Sequence, residues 1–167
     1  MKTIFKKLTL ITLFSAATLA QAESTIERHL NEGSTFPIAK AVTLKAGTDI
    51  IYLSGTVPAA FDEKKEKNTV AYFGTMEQQT ISVLTRIESR LSDLGLTMKD
   101  VVKMQAFLVP DKTTQQSDFS GFMKGYTQFF GTKEQPNLPS RSALNVHSLV
   151  NPGWLIEIEV VAAKSPI

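Results

Sequence analysis

The sequence contains no cysteine and only two histidines, His29 and His147. Without cysteine the chain has neither disulfide bonds nor thiol chemistry available to it. The two imidazoles are far apart and show neither HxH nor HExxH spacing, which argues against a zinc site. A glycine-rich loop of the kind that surrounds phosphate groups is also absent from the sequence.

The first 22 residues have the pattern of a cleaved signal peptide. Three lysines precede an apolar run over residues 8–19, which is too short to cross a bilayer comfortably. Ala20-Gln21-Ala22 then supplies the small-x-small pattern of a signal-peptidase site. We expect cleavage after Ala22 and a mature protein that is periplasmic or secreted, with no membrane attachment. A short N-terminal anchor or a buried helix is the alternative.

Removal of this leader changes the charge of the chain. Three of the 18 basic residues and none of the 16 acidic residues lie in it, so residues 23–167 carry a net charge of −1. No basic patch remains that would favour nucleic acid as a partner. The 145 residues of this part fit one domain with a core of its own.

Hydrophobic periodicity predicts the order β-β-β-α-β-α-β-β, an α+β layer in which two helices cover one sheet face. Strands are predicted over 27–31, 40–45 and 50–54, the last two joined as a hairpin by a turn at residues 46–49. A helix over 75–94 stops at Gly95, because glycine favours the position after a helix. A strand over 101–110 then precedes a second helix, which begins after Ser117 or Asp118, carries an aromatic stripe and stops at Gly131.

Two further strands, over 141–148 and 154–163, end the chain, and we pair them as an antiparallel hairpin. Side-chain alternation then predicts a shared face, turned away from the helices, that carries Arg141, Asn145, His147, Glu157 and Glu159. Such a mixed face is suited to a subunit interface with pockets. Arg141 either forms a cross-strand ion pair with a glutamate, which would hold the hairpin or a subunit interface, or binds a ligand. Its planar guanidinium holds a carboxylate through two hydrogen bonds.

Several segments of the chain occur in an order and spacing that are specific only when taken together. They are residues 50–58, Gln78 with residues 82–84, residues 95–96 with 100–103, residues 118–119, 126–130, 138–143 and 155–160. In these segments the chain resembles the Rid/YjgF family of enamine/imine deaminases. The resemblance covers roughly residues 36–163.

The resemblance implies a chorismate-mutase-like single domain with a six-stranded, mostly antiparallel or mixed sheet, assembled as a homotrimer with ligand pockets between subunits. It also implies hydrolysis of 2-enamine and 2-imino acids to 2-oxo acids and ammonia, without a metal or an organic cofactor. In that scheme Arg141 holds the substrate carboxylate and Glu157 positions or activates the attacking water. Ser54 and Gly55 line the pocket.

Two positions depart from the family pattern and also belong to the predicted binding site. The chain reads Phe36-Pro37-Ile38 where many members have a tyrosine, so Ile38 brings no phenolic hydroxyl. Met123 stands where many members have an asparagine. Both changes predict a more apolar pocket with fewer hydrogen-bond donors. The alternative functions are a non-catalytic trimeric binding protein for a small carboxylate metabolite and an interaction protein with a chaperone-like surface.

Overall fold

A six-stranded mixed sheet forms one layer of the molecule, with the spatial order β1-β2-β5-β4-β6-β3. The structure, a computed structural model, describes residues 25–111 and 114–165, so the predicted signal peptide lies outside the described residues. The strands are β1 (Ile26–Leu30), β2 (Ala39–Leu44), β3 (Asp49–Thr56), β4 (Val101–Leu108), β5 (Ser140–Asn145) and β6 (Ile156–Lys164).

Strand pairing differs from the prediction at both expected hairpins. β2 pairs with β1 and β5, whereas β3 pairs with β6. β4 lies between β5 and β6, parallel to the first and antiparallel to the second. A turn motif determines only where the chain reverses. The pairing follows instead from burial, because the most apolar strands, β4 and β6, take central positions where neighbours cover both of their edges.

Two helices cover one face of this sheet, as predicted. The helical elements are α1 (Val70–Phe73), α2 (Met76–Asp93), α3 (Phe119–Tyr126) and a 3₁₀ turn at Met98–Asp100. Thr75 and Gln78 form a reciprocal capping box at the start of α2, and Gly95 follows its end with φ of 69°. The predicted helix over 75–94 is therefore confirmed, whereas α3 begins after Asp118 and ends five residues before Gly131.

The hydrophobic core lies between the helices and the sheet. From α2 it includes Val83, Leu84, Ile87 and Leu91, and from α3 and the turn after it Phe122, Tyr126 and Phe130. Burial of each such side chain stabilises the fold by about 1.5–3 kcal/mol. The aromatic stripe is thus core, and the opposite sheet face is left without a helix. None of the helices in the described part of the chain is long and apolar enough to cross a membrane.

Candidate functional site

Arg141 lies on the helix-covered face of the sheet, and Glu157 lies on the open face. Along β4, Met104 is the neighbour of both Arg141 and Val160, and Met104 and Val160 are buried in the core. Glu157 instead pairs with Phe107, which lies an odd number of residues after Met104 along β4 and so belongs to the opposite face. Since successive side chains in a strand point to opposite faces, the two predicted catalytic residues are separated by the sheet of their own chain.

The predicted common polar face is therefore wrong in part. Glu157 and Glu159 share the open face, but Asn145 pairs with the buried Leu108 and so lies with Arg141 on the other side. His147 follows the end of β5. Along β5 it is the set of alternate residues containing Arg141 that faces the helices, whereas the prediction gave that position to the other set. An arginine was assigned to the open side because of its charge, whereas aromatic rings of α3 accommodate it on the covered side.

The guanidinium of Arg141 is held in an aromatic box formed by Phe36, Phe122 and Tyr126. Its Cζ atom lies 4.3 Å from the ring centroid of Tyr126, 4.9 Å from that of Phe122 and 5.4 Å from that of Phe36. A cation at such distances is attracted to the negative face of each ring by roughly 0.5–2 kcal/mol. The box therefore offsets part of the cost of removing the guanidinium from water.

The hydrogen-bonding capacity of this guanidinium is largely unused. Nη2 contacts the Met123 sulfur at 3.4 Å, and Nη1 is buried with no hydrogen-bond partner among the described residues. Within the described residues no carboxylate lies at salt-bridge distance from Arg141. Burial lowers the pKa of Arg141, and the neighbouring Tyr126 hydroxyl opposes this shift. Among the described residues the pair that would hold the hairpin, Arg141 with a glutamate, is thus wrong, and a partly buried cation with no anion beside it there favours binding of an anionic ligand.

Tyr126 fixes the chain segment that closes the box. Its hydroxyl donates a hydrogen bond of 2.8 Å to the carbonyl of Pro37, between Phe36 and Ile38. Burial raises the pKa of Tyr126, against the opposing effect of the Arg141 charge, so the hydroxyl stays protonated. Of the two predicted apolar pocket residues, Met123 contacts Arg141. In the other predicted segment the residue that contacts the guanidinium is Phe36 and not Ile38. The sequence feature that could have identified Phe36 as a site residue is its position as an aromatic residue directly before a proline.

A second group of predicted site residues lies on β3 and β6. The β3–β6 register shifts between Leu53 and Thr56, so Ser54 and Gly55 form a bulge opposite Glu159. The Glu157 carboxyl group lies against Gly55, and a Cβ at that position would be 3.0 Å from the Glu157 Cδ and closer still to Oε1. The structure thus brings Gly55 and Glu157 together, and only glycine leaves room for this carboxylate.

Arg90 of α2 holds this bulge in place, a role that sequence reasoning missed. Its Nη1 donates to the Thr56 hydroxyl at 2.7 Å and to the Ser54 carbonyl at 3.4 Å. An arginine at a polar position of an amphipathic helix is by itself typical of a solvated outer surface. The long side chain of Arg90 instead reaches back over the sheet edge, where a β-bulge leaves backbone groups without ladder partners.

The open face of the sheet carries exposed apolar side chains beside its charges. Tyr52 is 78% exposed and Leu144 40% exposed, and both lie on this face with Glu157 and Glu159. A shallow concavity of about 120 Å³ lies there between Tyr52, Lys103 and Glu159. Within residues 25–111 and 114–165 no three His, Asp or Glu side chains form a group that could hold a metal ion.

The fold is thus an α+β domain with two helices on one face of a mixed six-stranded sheet. Between the layers lies an arginine that has no acidic partner in the described part of the chain. The chain belongs to the family described as Endoribonuclease L-PSP, the YjgF/Rid family, whose profile matches residues 34–164. Among curated relatives, 3-aminoacrylate deaminase RutC of Acinetobacter baylyi is 32% identical over 133 residues, which are 80% of this chain and 94% of RutC.

Solved structures agree on the fold. The Rid-family protein YyfB of Yersinia pestis is 22% identical with a TM-score of 0.62, and the match covers 84% of this chain and all of that one. E. coli TdcF with bound serine is 23% identical with a TM-score of 0.55, covering 86% and 100% of the two chains. A putative endoribonuclease of Thermotoga maritima is 25% identical with a TM-score of 0.53, covering 86% and 99%. The predicted family and fold class are confirmed.

Proposed function

We propose that the chain is a deaminase that hydrolyses small 2-enamine and 2-imino acids to 2-oxo acids and ammonia. The observation that carries this proposal is the Arg141 guanidinium, which is partly buried among rings and has no carboxylate partner within residues 25–111 and 114–165. A ligand carboxylate would supply the missing charge and accept the unused hydrogen bonds. The relationship to RutC, a 3-aminoacrylate deaminase, supports the same class of reaction.

The reaction places modest demands on the protein. Water adds to C2 of the imine while a base takes one of its protons, and the resulting amino alcohol loses ammonia as its hydroxyl becomes the carbonyl. Arg141 would hold the carboxylate next to C2. Glu157 would pass one water proton to the imine nitrogen as the C–O bond forms, and then pass the hydroxyl proton to the same nitrogen as the C–N bond breaks, so that ammonia leaves. An imine is already electrophilic, so orientation and local charge supply the acceleration.

This division of roles requires two subunits. Arg141 and Glu157 lie on opposite faces of one sheet, so one ligand meets both only if they come from neighbouring chains. The exposed Tyr52 and Leu144 on the helix-free face are suited to burial against another copy. We therefore propose a homotrimer with its sites between subunits. The pattern of residues 1–22 supports the proposal that this trimer works in a periplasm or outside the cell.

A trimeric binding protein without turnover is the second candidate. It is favoured by the composition of the aromatic box, in which no side chain can act as a base at neutral pH. The Tyr126 hydroxyl is protonated and donates to Pro37, and the Met123 thioether is a weak acceptor. Such a box can retain a carboxylate while the water-activating group is absent or misplaced.

The test generates 2-iminobutanoate or 2-iminopropanoate in solution with an amino-acid oxidase and follows its loss. Arg141→Ala is expected to lower kcat/KM at least about tenfold, because hydrogen bonds to a charged group contribute about 1.5–3 kcal/mol. Arg28→Ala is the matched control, since Arg28 is also partly buried but donates to the backbone carbonyls of Lys99 and Val101. Equal rates for wild type and Arg141→Ala would overturn the deaminase. Thermal stabilisation by 2-oxobutanoate without turnover, abolished by Arg141→Ala, would establish the binding protein.

A further inference from the structure

The Met123 side chain takes up one side of the guanidinium that a carboxylate would use. Its sulfur lies 3.4 Å from Nη2 of Arg141, while Nη1 of the same group has no partner in the part of the chain that the structure describes. A thioether is a weak acceptor, so it covers the donor without satisfying it. The chemical form of this one sulfur therefore bears directly on whether Arg141 can bind an anion.

Met123 is also the methionine most open to solvent in the described part of the chain. Met76, Met98 and Met104 are buried in the core, with 2%, 4% and 0% of their surface exposed. Met123 is only partly buried, and it lies at the edge of the core on α3. Met1 belongs to the predicted signal peptide and lies outside the described residues. A dissolved oxidant is thus expected to reach Met123 before the three core methionines.

We propose that Met123 is a site of reversible oxidation by peroxides and that its sulfoxide closes the Arg141 site to carboxylate ligands. In the reaction the sulfur lone pair attacks one oxygen of hydrogen peroxide and the O–O bond breaks. The second oxygen leaves with the bonding electron pair and takes the remaining proton, so the products are methionine sulfoxide and water. Methionine sulfoxide is reduced back to the thioether by methionine sulfoxide reductases.

The consequence for binding follows from the position of the new oxygen. A sulfoxide oxygen carries substantial negative charge and is a strong acceptor, and here it is attached to an atom already beside Nη2. It would pair with the guanidinium within the chain, so a ligand carboxylate must displace it. Since a hydrogen bond to a charged group contributes about 1.5–3 kcal/mol, the affinity for a carboxylate should fall about 10- to 100-fold. This inference rests on the proposed role of Arg141 in carboxylate binding.

The experiment treats the purified protein with dilute hydrogen peroxide and identifies oxidised methionines by peptide mass spectrometry. Binding of 2-oxobutanoate is titrated before and after treatment, and again after incubation with a methionine sulfoxide reductase. Met123 should be oxidised ahead of Met76, Met98 and Met104, the affinity should fall tenfold or more, and the reductase should restore it. Met98→Leu, which removes a buried methionine, should lose affinity on oxidation as wild type does, whereas the affinity of Met123→Leu should not change with peroxide.

Two results would overturn the inference. One is oxidation of Met123 no faster than that of the core methionines, and the other is unchanged affinity in protein whose Met123 is fully oxidised. A reduced wild-type protein that does not bind 2-oxobutanoate would overturn the proposed function instead, and with it the closing of the site. The order of methionine oxidation would still be decided by the peptide data alone.

Discussion

The carboxyl group of Glu157 occupies the space that a side chain at position 55 would need. The Glu157 Cδ lies 3.0 Å from where a Cβ on Gly55 would be, and the neighbouring bulge is held from the other side by Arg90. The position of the carboxylate is therefore defined by a missing side chain rather than by an ion pair. This explains why a serine-glycine pair on an edge strand is linked to a glutamate about a hundred residues later in the sequence.

Gly55→Ala is expected to push the Glu157 carboxylate out of its position. The added methyl group overlaps the carboxyl group, and overpacking of this kind costs about 1–3 kcal/mol. Activity should fall together with stability, because the proposed water-activating group is displaced. Urea unfolding of Gly55→Ala, Glu157→Ala and the double variant measures the change in the free energy of unfolding. In the Glu157→Ala background the alanine at 55 should cost less than about 0.5 kcal/mol. Equal costs in the two backgrounds would show that the contact does not restrict position 55.

Mixed oligomers test whether the site is shared between subunits. If Arg141 and Glu157 act from different chains, co-expressed Arg141→Ala and Glu157→Gln subunits should restore about a quarter of the wild-type activity by random assembly. Either variant alone should be inactive or nearly so. Recovery is measured on the whole, unselected pool of complexes formed when the two types of subunit are expressed in equal amounts.

A matched mixture controls for assembly in this experiment. Wild-type subunits are co-expressed with subunits that carry both Arg141→Ala and Glu157→Gln. This mixture should retain about a quarter of the activity if the site is shared and about half if each site lies within one chain. Half activity here, with none in the first mixture, would contradict the separation of the two residues by the sheet.

Gln79 is expected to be essential for stability although it lies away from the site. Its buried amide donates to the carbonyls of Gly74 and Gly153 and accepts from the Leu155 N–H at 2.8 Å. Gln79→Leu leaves these buried groups unpaired, so it should lower the free energy of unfolding by at least about 2 kcal/mol. Gln128→Leu, at an exposed glutamine of the same chain, should change it by less than about 0.5 kcal/mol. Urea denaturation at fixed protein concentration compares the two, and similar losses would contradict the role of Gln79.

Local sequence signals predicted the elements of this fold well. The threonine before α2 and the glycine after it lie where capping rules place them. The three-four spacing of apolar residues identifies the face that α2 buries. The order of strands and helices follows from the same signals. Strand pairing could not be obtained in this way, because the turn at residues 46–49 reverses the chain without specifying a neighbour. β3 pairs with β6, whose sequence lies about a hundred residues away.

The candidate site was predicted in its residues but not in its geometry. Alternation correctly separated Arg141 from Ser142 along β5, yet it could not decide which set faces the helices. Which set faces the helices depends on Phe122 and Tyr126, whose rings form a surface against which the guanidinium can be buried. Contact between Gly55 and Glu157 likewise depends on a register shift that no local pattern signals.

The junction between β2 and β5 is a single bridge, Ala39 with Ser140. β1 and β2 are thus attached to the rest of the sheet by few backbone hydrogen bonds, and Phe36, one wall of the aromatic box, lies in the loop between them. Elements joined so sparsely separate at a lower free energy than the global unfolding transition. The amide hydrogens of β1 and β2 should accordingly exchange with deuterated solvent before those of β4 and β6. The same partial opening would expose the guanidinium while the core stays folded, which provides a route into the site that needs no hinge between domains.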